Sequence, residues 1–345
     1  MTAETVQAIV RFLTDVPFAD DSLKVCWHAG EPLAVPISFY EEAFEIFASG
    51  PRQVRQNIQT NGTLITDEWC LLFKKWSVHI GLSIDGPKTT HDLHRVDRSG
   101  RGTFDRVARG MSKLHKHEIP FSVIAVLTRD SLQAADELWE FFKSAGISNV
   151  GFNIEEVEGI HGKSSLNDKE HLTAFRRFMF RIAELHERNG DVEVREIENM
   201  RRHLTAQPGA EVERADNRPG AILNIDVDGN LTTFAPELLG QKHPKYGRFN
   251  WGNVHTDSWA TIVQNPNFQQ VCADIKAGVD LCHQTCEYFS VCGGGAPSNK
   301  LAELGTFIST ETQSCRFRVQ AVADVVIERL EREIELGRLK NVAAQ

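Results

Sequence analysis

The sequence has no basic surplus: 38 Lys and Arg stand against 47 Asp and Glu, for a net charge of −9. A broad electrostatic grip on nucleic acid or on an anionic membrane is therefore not expected. Long apolar runs are missing too. Stretches such as Val123 to Leu127 are far too short to cross a bilayer. The first twenty residues carry Asp15, Asp20 and a single Arg11, with no basic segment followed by an apolar one, so no secretory signal is read there. These absences together predict a soluble, cytoplasmic protein. No HExxH, GxSxG or nucleotide-hydrolysis motif occurs, and there is no internal repeat or low-complexity tract. Gly100-Arg101-Gly102-Thr103 imitates a phosphate loop but lacks the Lys-Ser/Thr that would follow, and reads as a helix start capped by Thr103. His115 and His117 read as a solvated helix face, because alternate residues on a helix do not face one another.

Cysteine is sparse as well. Seven in 345 residues is not the density of a disulfide framework, and Cys26, Cys70 and Cys272 are scattered. Cys282, Cys286, Cys292 and Cys315, by contrast, fall within 34 residues of one another. Four thiolates in a reducing compartment suit a metal: a zinc ion or an iron–sulfur cluster. A structural zinc ribbon more usually shows two CxxC knuckles, and this chain has neither. The irregular spacing, with Gly293-Gly294-Gly295 after Cys292, favours the larger cluster over zinc.

What is present is ordinary globular composition, 41% hydrophobic and 25% charged, in a chain long enough for two domains. Val6, Ile9, Val10 and Leu13 form one helical stripe, and Ala135, Leu138, Trp139 and Phe142 another. Between helical pieces lie short apolar or β-branched runs at 23–27, 57–59, 78–84, 121–127 and 150–154. Alternation that begins with a helix predicts a parallel α/β sheet or partial barrel over 1–157. Residues 158–215 read as a helical connecting segment, clearest at 170–187. Residues 216–345 read as a separate region: a hairpin turning at Asp228-Gly229, the cysteine group, and a long helix with Val319, Val322, Val326 and Leu330 on one side.

Three polar or glycine-bearing segments follow successive predicted strands: His28-Ala29-Gly30-Glu31-Pro32, Thr60-Asn61-Gly62 and Ser83-Ile84-Asp85-Gly86-Pro87. Each alone is ordinary turn chemistry, but in parallel α/β folds ligands gather where such segments meet. Backbone carbonyls and Glu31 suit an ammonium group, Asn61 and Ser83 suit ribose hydroxyls, and Arg95 suits a carboxylate. An isolated surface arginine is the alternative for Arg95.

Together these residues resemble the radical SAM enzymes with a C-terminal SPASM-type extension, over nearly the whole chain. His28 to Pro32 resembles the segment that cradles the amino group of S-adenosylmethionine; the segments at 59–65 and 82–87 resemble the next two strand ends. The nearer likeness is to peptide maturases of the glycine-rich-repeat, cyclophane-forming type, carried by 27–33, 91–104, 228–240 and 286–300. The resemblance implies a partial (β/α) barrel of the radical SAM type lacking its first strand, with S-adenosylmethionine at Gly30, Glu31, Pro32, Asn61, Ser83, Asp85 and Arg95. It implies a precursor peptide substrate and an electron donor as partners, no nucleic acid and no membrane, and Glu237 as a candidate for proton transfer.

Two departures from that pattern stand out. The CxxxCxxC whose thiolates bind the SAM-cleaving [4Fe–4S] cluster is absent from all 345 residues. A full SPASM pattern would also have cysteines where this chain has Phe234 and Ala296. One auxiliary [4Fe–4S] cluster on Cys282, Cys286, Cys292 and Cys315 is therefore expected, with a SAM-cleaving cluster only if an upstream CxxxCxxC exists. Three readings follow: an N-terminally shortened peptide maturase, the favoured one; a cluster-lacking relative that binds a peptide or protein partner; and an unrelated α/β protein with a zinc-stabilised tail.

Overall fold

The computed structural model describes residues 1–17, 22–156, 164–166, 168–207, 209 and 212–337. A six-stranded parallel sheet runs in chain order: β1 (Ser22–Trp27), β2 (Gln53–Thr60), β3 (His79–Ser83), β4 (Phe121–Leu127), β5 (Asn149–Ile154) and β6 (Glu193–Val194). Sequential order with all-parallel pairing requires a crossover after every strand. Helices Ile37–Ala48, Asp67–Lys75, Phe104–Lys116, Ala135–Ser144 and Lys169–Asn189 lie in those crossovers.

Alternation along the strands gives the sheet two unlike faces. Ile58, Ile80, Leu82, Val123, Ala125 and Val150 are buried in one core with Trp139 and Phe142 of the fourth of those helices. The other face carries Cys26, Asn57 and His79 in one register row, and Gln59, Gly81 and Ser122 in the next. All six of these are exposed or only half-buried. The covered face is thus mainly apolar, while the other mixes these polar positions with the half-buried Ile124 and Val126 of β4, as in an open half-barrel.

All five strands expected from the sequence are present, and the chain begins with the expected helix, Ala3–Thr14. The sixth strand was not foreseen. Glu193–Val194 pairs with Asn149–Val150 inside the segment read as a helical connector, so the sheet continues past the expected boundary. The boundary at 157–158 itself lies outside the described residues. The hairpin forms from β7 (Leu223–Ile225) and β8 (Asn230–Thr233), with Gly229 at φ 84 in the turn. The long last helix runs Val322–Glu335 after a wide π-turn at Arg316–Ala321. Its Val322, Val325 and Val326 enter the core of the parallel sheet, while Val6, Ile9 and Phe12 of the first helix pack with Leu231, Trp251 and Phe268. The first and last helices thus each pack against the region from the other half of the sequence.

Thr103 does not cap its helix through its side chain. Its hydroxyl donates to the Arg95 carbonyl at 3.0 Å, and the Asp92 carboxylate takes the Phe104 N–H at 2.9 Å instead. The expectation for the histidines is corrected in part: His117 bonds Asp67 at 2.8 Å, anchoring the helix to its neighbour.

Gly110 lies inside the helix Phe104–Lys116, where alanine would ordinarily stabilise by roughly 0.5–1 kcal/mol. Here a Cβ would overlap the Gly62 carbonyl oxygen of the strand-end loop. Gly110→Ala is expected to destabilise by about 1–3 kcal/mol, read as a lower urea midpoint. A raised midpoint would show that the loop yields.

Candidate functional site

Three groups of polar side chains gather at the carboxyl ends of the strands. After β1 the chain turns through Ala29 and Gly30, at φ 70 and 63, which swings Glu31 across to β2. The Glu31 carboxylate accepts from the Leu33 N–H at 3.0 Å, the Thr60 hydroxyl at 2.5 Å and the Asn61 N–H at 2.8 Å. Three of its roughly four acceptor positions are thus occupied within the protein. Glu31 also lines a cavity of about 410 Å³, with Cys26, His28, Pro32 and Tyr40 and with Leu223 and Asn224 of β7.

The second group is at β3. Ser83 accepts from the Gln59 amide at 3.1 Å, and Asn61 turns its oxygen onto the Thr63 N–H at 2.9 Å and hydroxyl at 2.7 Å. The third joins β3 to β4: Asp85 takes the Val126 N–H at 2.9 Å and holds Arg95 by two bonds, at 2.6 and 2.9 Å. Asp85 is 4% exposed, so the pair is largely withdrawn from water. The sequence offered Arg95 to an external carboxylate. The structure gives it an internal one, because the helix Lys88–His94 ends by carrying Arg95 back over the end of β3. Glu31 and Pro32 line the cavity beside β1, whereas Gly30, Asn61, Ser83, Asp85 and Arg95 are not among its lining residues. Glu237 stands apart in a cavity of about 110 Å³ with His243 and Ser298.

His91 ties the third group together and was missed in the sequence. It is fully buried; the Asp85 N–H points to its Nδ1 at 3.4 Å, so its Nε2–H donates to the Thr103 hydroxyl at 2.9 Å. Only the neutral ring satisfies both bonds, and burial pushes its pKa below the usual 6.5. Nearby charges divide: Asp85 and Asp92 favour protonation, Arg95 opposes it.

The four clustered cysteines meet around one cavity of about 590 Å³. Helix Pro266–Thr285 buries Phe268, Val271, Ile275, Gly278 and Cys282 along one stripe, which aims Cys282 inward, and Cys286 caps the same helix. Cys292 ends the helical turn Phe289–Cys292; Gly293, Gly294 and Gly295 follow at φ 70, 100 and 72. A side chain at Gly293 would strike the Val212 carbonyl. Cys315 arrives on the turn Gln313–Cys315, capped by Thr312, whose hydroxyl takes the Cys315 N–H at 3.0 Å.

Electrostatics favour thiolate at Cys292, whereas burial raises the Cys286 thiol. A hydrogen bond from Cys315, with the Arg214 guanidinium nearby, holds the Cys292 thiol below its usual range, while Cys315 is pushed up by donating that bond and by burial. Among the described residues no three His, Cys, Asp or Glu side chains converge to hold a single metal ion. Four cysteines lining one half-open cavity, with cations beside them, are a donor set whose chemistry fits an iron–sulfur cluster.

The cysteine region is fastened to the sheet by Glu156, just past β5. It accepts from Asn299 at 3.3 Å, Ser314 at 2.5 Å and Arg318 at 3.2 Å. Sequence reasoning gave no sign of Glu156, whose partners lie more than a hundred residues away.

The His91 network predicts a pH dependence. Because its folded pKa is depressed, stability is full above about 6.5 and falls as pH drops from there toward the folded value, where the unfolded chain takes up a proton that the folded one refuses. Urea titrations of wild type and His91→Gln between pH 7.5 and 5 are the check: the variant should lose less stability on acidification, and parallel losses would exclude His91.

The model of the radical SAM superfamily matches residues 1–142. An uncharacterised protein of Synechocystis sp. is 44% identical over 343 residues, covering 97% of this chain and 86% of that one. The serine-type anaerobic sulfatase-maturating enzyme of Klebsiella aerogenes is 31% identical over 306 residues, covering 86% of this chain and 72% of the enzyme. Among solved structures, anSMEcpe with bound AdoMet superposes with a TM-score of 0.77 at 18% identity, over 99% of this chain and 87% of that one. Streptococcus suis SuiB bound to its precursor peptide SuiA gives 0.61 at 16% identity, over 91% and 69%. The structural likenesses show the same fold, and with the superfamily match and the sequence identity to the Klebsiella enzyme they place this chain in the radical SAM superfamily, within the family of the anaerobic sulfatase-maturating enzymes.

Proposed function

We propose that this chain is the substrate- and cluster-bearing body of a radical SAM maturase that modifies a residue of a bound peptide. The observation that carries this reading is the single cavity shared by Cys282, Cys286, Cys292 and Cys315, fastened by Glu156 to the carboxyl end of the sheet. In that reading the four thiolates hold one [4Fe–4S] cluster, which leaves no iron open to S-adenosylmethionine and supplies electron relay or structural support. Relatives of the same fold were solved with AdoMet and with peptides, which supports a peptide as the partner.

The chain's own residues then divide the work. Glu31 keeps the ends of β1 and β2 together and presents its free acceptor position to the cavity beside β1, where a methionine ammonium would find it. The Asp85–Arg95 pair and His91 hold the β3 and β4 ends rigid, so that a substrate bound above them is positioned rather than merely admitted. A crosslink between an aromatic ring and a nearby β-carbon is the modification we favour. Glu237, in its separate cavity, is retained as a candidate for proton transfer to or from the peptide.

Cleavage of S-adenosylmethionine needs an iron that three thiolates hold and leave partly open. No CxxxCxxC occurs among these residues. Binding of a peptide without chemistry is the second reading, favoured by the same lack.

Anaerobic reconstitution should load about four irons and four sulfides per chain, and Cys292→Ser should lower both while weakening the fold. One tightly held zinc without sulfide would replace the cluster with a structural zinc module. The same reconstituted chain should release no 5′-deoxyadenosine above background on reduction with S-adenosylmethionine. Its formation would show that an iron open to S-adenosylmethionine is present after all.

A further inference from the structure

Lys300 ends the segment Cys286 to Lys300, on the helix Pro297–Leu304 that follows the three glycines. It is 3% exposed. Its ammonium donates to the Gly278 carbonyl at 3.0 Å and to the Cys282 sulfur at 3.4 Å. Among the described residues it forms no ion pair with a carboxylate.

A buried ammonium without a counter-charge is costly, and a carbonyl dipole offsets only part of that cost. The remaining partner is a sulfur. As a neutral thiol Cys282 would leave the ammonium uncompensated; as a thiolate ligand it supplies the missing negative charge. The local backbone is shaped around this contact. A Cβ at Gly278 would overlap the Phe307 carbonyl and come within 3.3 Å of the Lys300 Nζ, and one at Gly295 would lie 3.7 Å from its Cε. Arg214 interacts with Cys292 and Cys315 but is already held by Asp216 at 2.6 and 2.8 Å. Among the described residues Lys300 is therefore a cation at the cysteine cavity without an acidic partner.

We propose that Lys300 sets the reduction potential of the cluster held by Cys282, Cys286, Cys292 and Cys315, an inference that rests on the cluster assignment made above. Reduction adds one electron from an external reductant, breaks no bond, and spreads negative charge onto the ligand sulfurs. A charge-assisted N–H···S bond is stronger to the more negative form, so it raises the potential. Lys300 is a positioning residue in this sense: it touches a ligand, not the substrate.

The test compares wild type, Lys300→Met, Lys300→Gln and Lys300→Arg after anaerobic reconstitution, first by iron and sulfide content and then by EPR-monitored titration with dithionite. All four should hold equal iron and sulfide. In Lys300→Met the reduced-to-oxidised ratio at the wild-type midpoint should fall about tenfold, which is about 59 mV for a one-electron couple. Lys300→Arg should stay near wild type, and Lys300→Gln, which keeps a donor but loses the charge, should fall between. Full iron with an unchanged potential in Lys300→Met overturns the proposal and leaves Lys300 a packing residue. If Lys300→Met does not fold, an unchanged potential in Lys300→Gln does the same. Failure of the wild type to take up iron and sulfide is a different outcome, which removes the cluster assignment and this inference with it.

Discussion

A parallel sheet whose helices all lie on one side must find something other than helices for its second face. Here the outer face is closed by an aliphatic and aromatic core, and the inner face carries Asn57, Gln59, His79, Ser83 and Asn153 beside the half-buried Ile124 and Val126. Polar side chains cannot be buried there without partners, so they bond one another, as Gln59 does with Ser83, or remain accessible. The open concavity follows from that one-sidedness. So does the need for the C-terminal region, which closes over the strand ends through Glu156 and sends its last helix back into the outer core.

The strand ends do two things with the same residues. Glu31, Asp85 and Arg95 are polar groups at the place where parallel α/β folds bind ligands, yet most of their bonding capacity is spent within the protein. A carboxylate locked by three donors is pre-oriented, and whatever approaches its free lone pair meets a fixed target. Rigidity and recognition are thus supplied by one set of contacts, at the cost of fewer groups left free for a ligand.

The cysteine region has a different physical basis. Its four sulfurs come from a helix face, that helix's cap, a glycine-ended turn and a capped turn beyond, and the apolar stripe of the helix directs the first of them inward. Charge gathers beside them: Arg214 interacts with Cys292 and Cys315 and Lys300 with Cys282, with Asp216 balancing only the first. Such an arrangement is at its most stable when the sulfurs carry negative charge, which ties the local fold to what the sulfurs bind.

Periodicity and local turn chemistry made much of this legible in advance. The stripe Ala135, Leu138, Trp139 and Phe142 is fully buried, the five strand runs pair in order, the Asp228-Gly229 turn joins two strands, and the four cysteines share one cavity. These are properties of residues close in the chain, where spacing alone dictates direction. The two-residue strand Glu193–Val194 left no such signal, being too short for a pattern and formed only because β5 offered an edge. The roles of His91, Glu156 and Lys300, and the internal pairing of Arg95 with Asp85, were likewise decided by tertiary structure alone. Each depends on which donor or acceptor a folded neighbour leaves unpaired, and burial strengthens that choice by removing water as a competitor. Sequence by itself determined the layered architecture and the sulfur set; the folded chain decided which polar groups hold the frame and which remain free to meet a ligand.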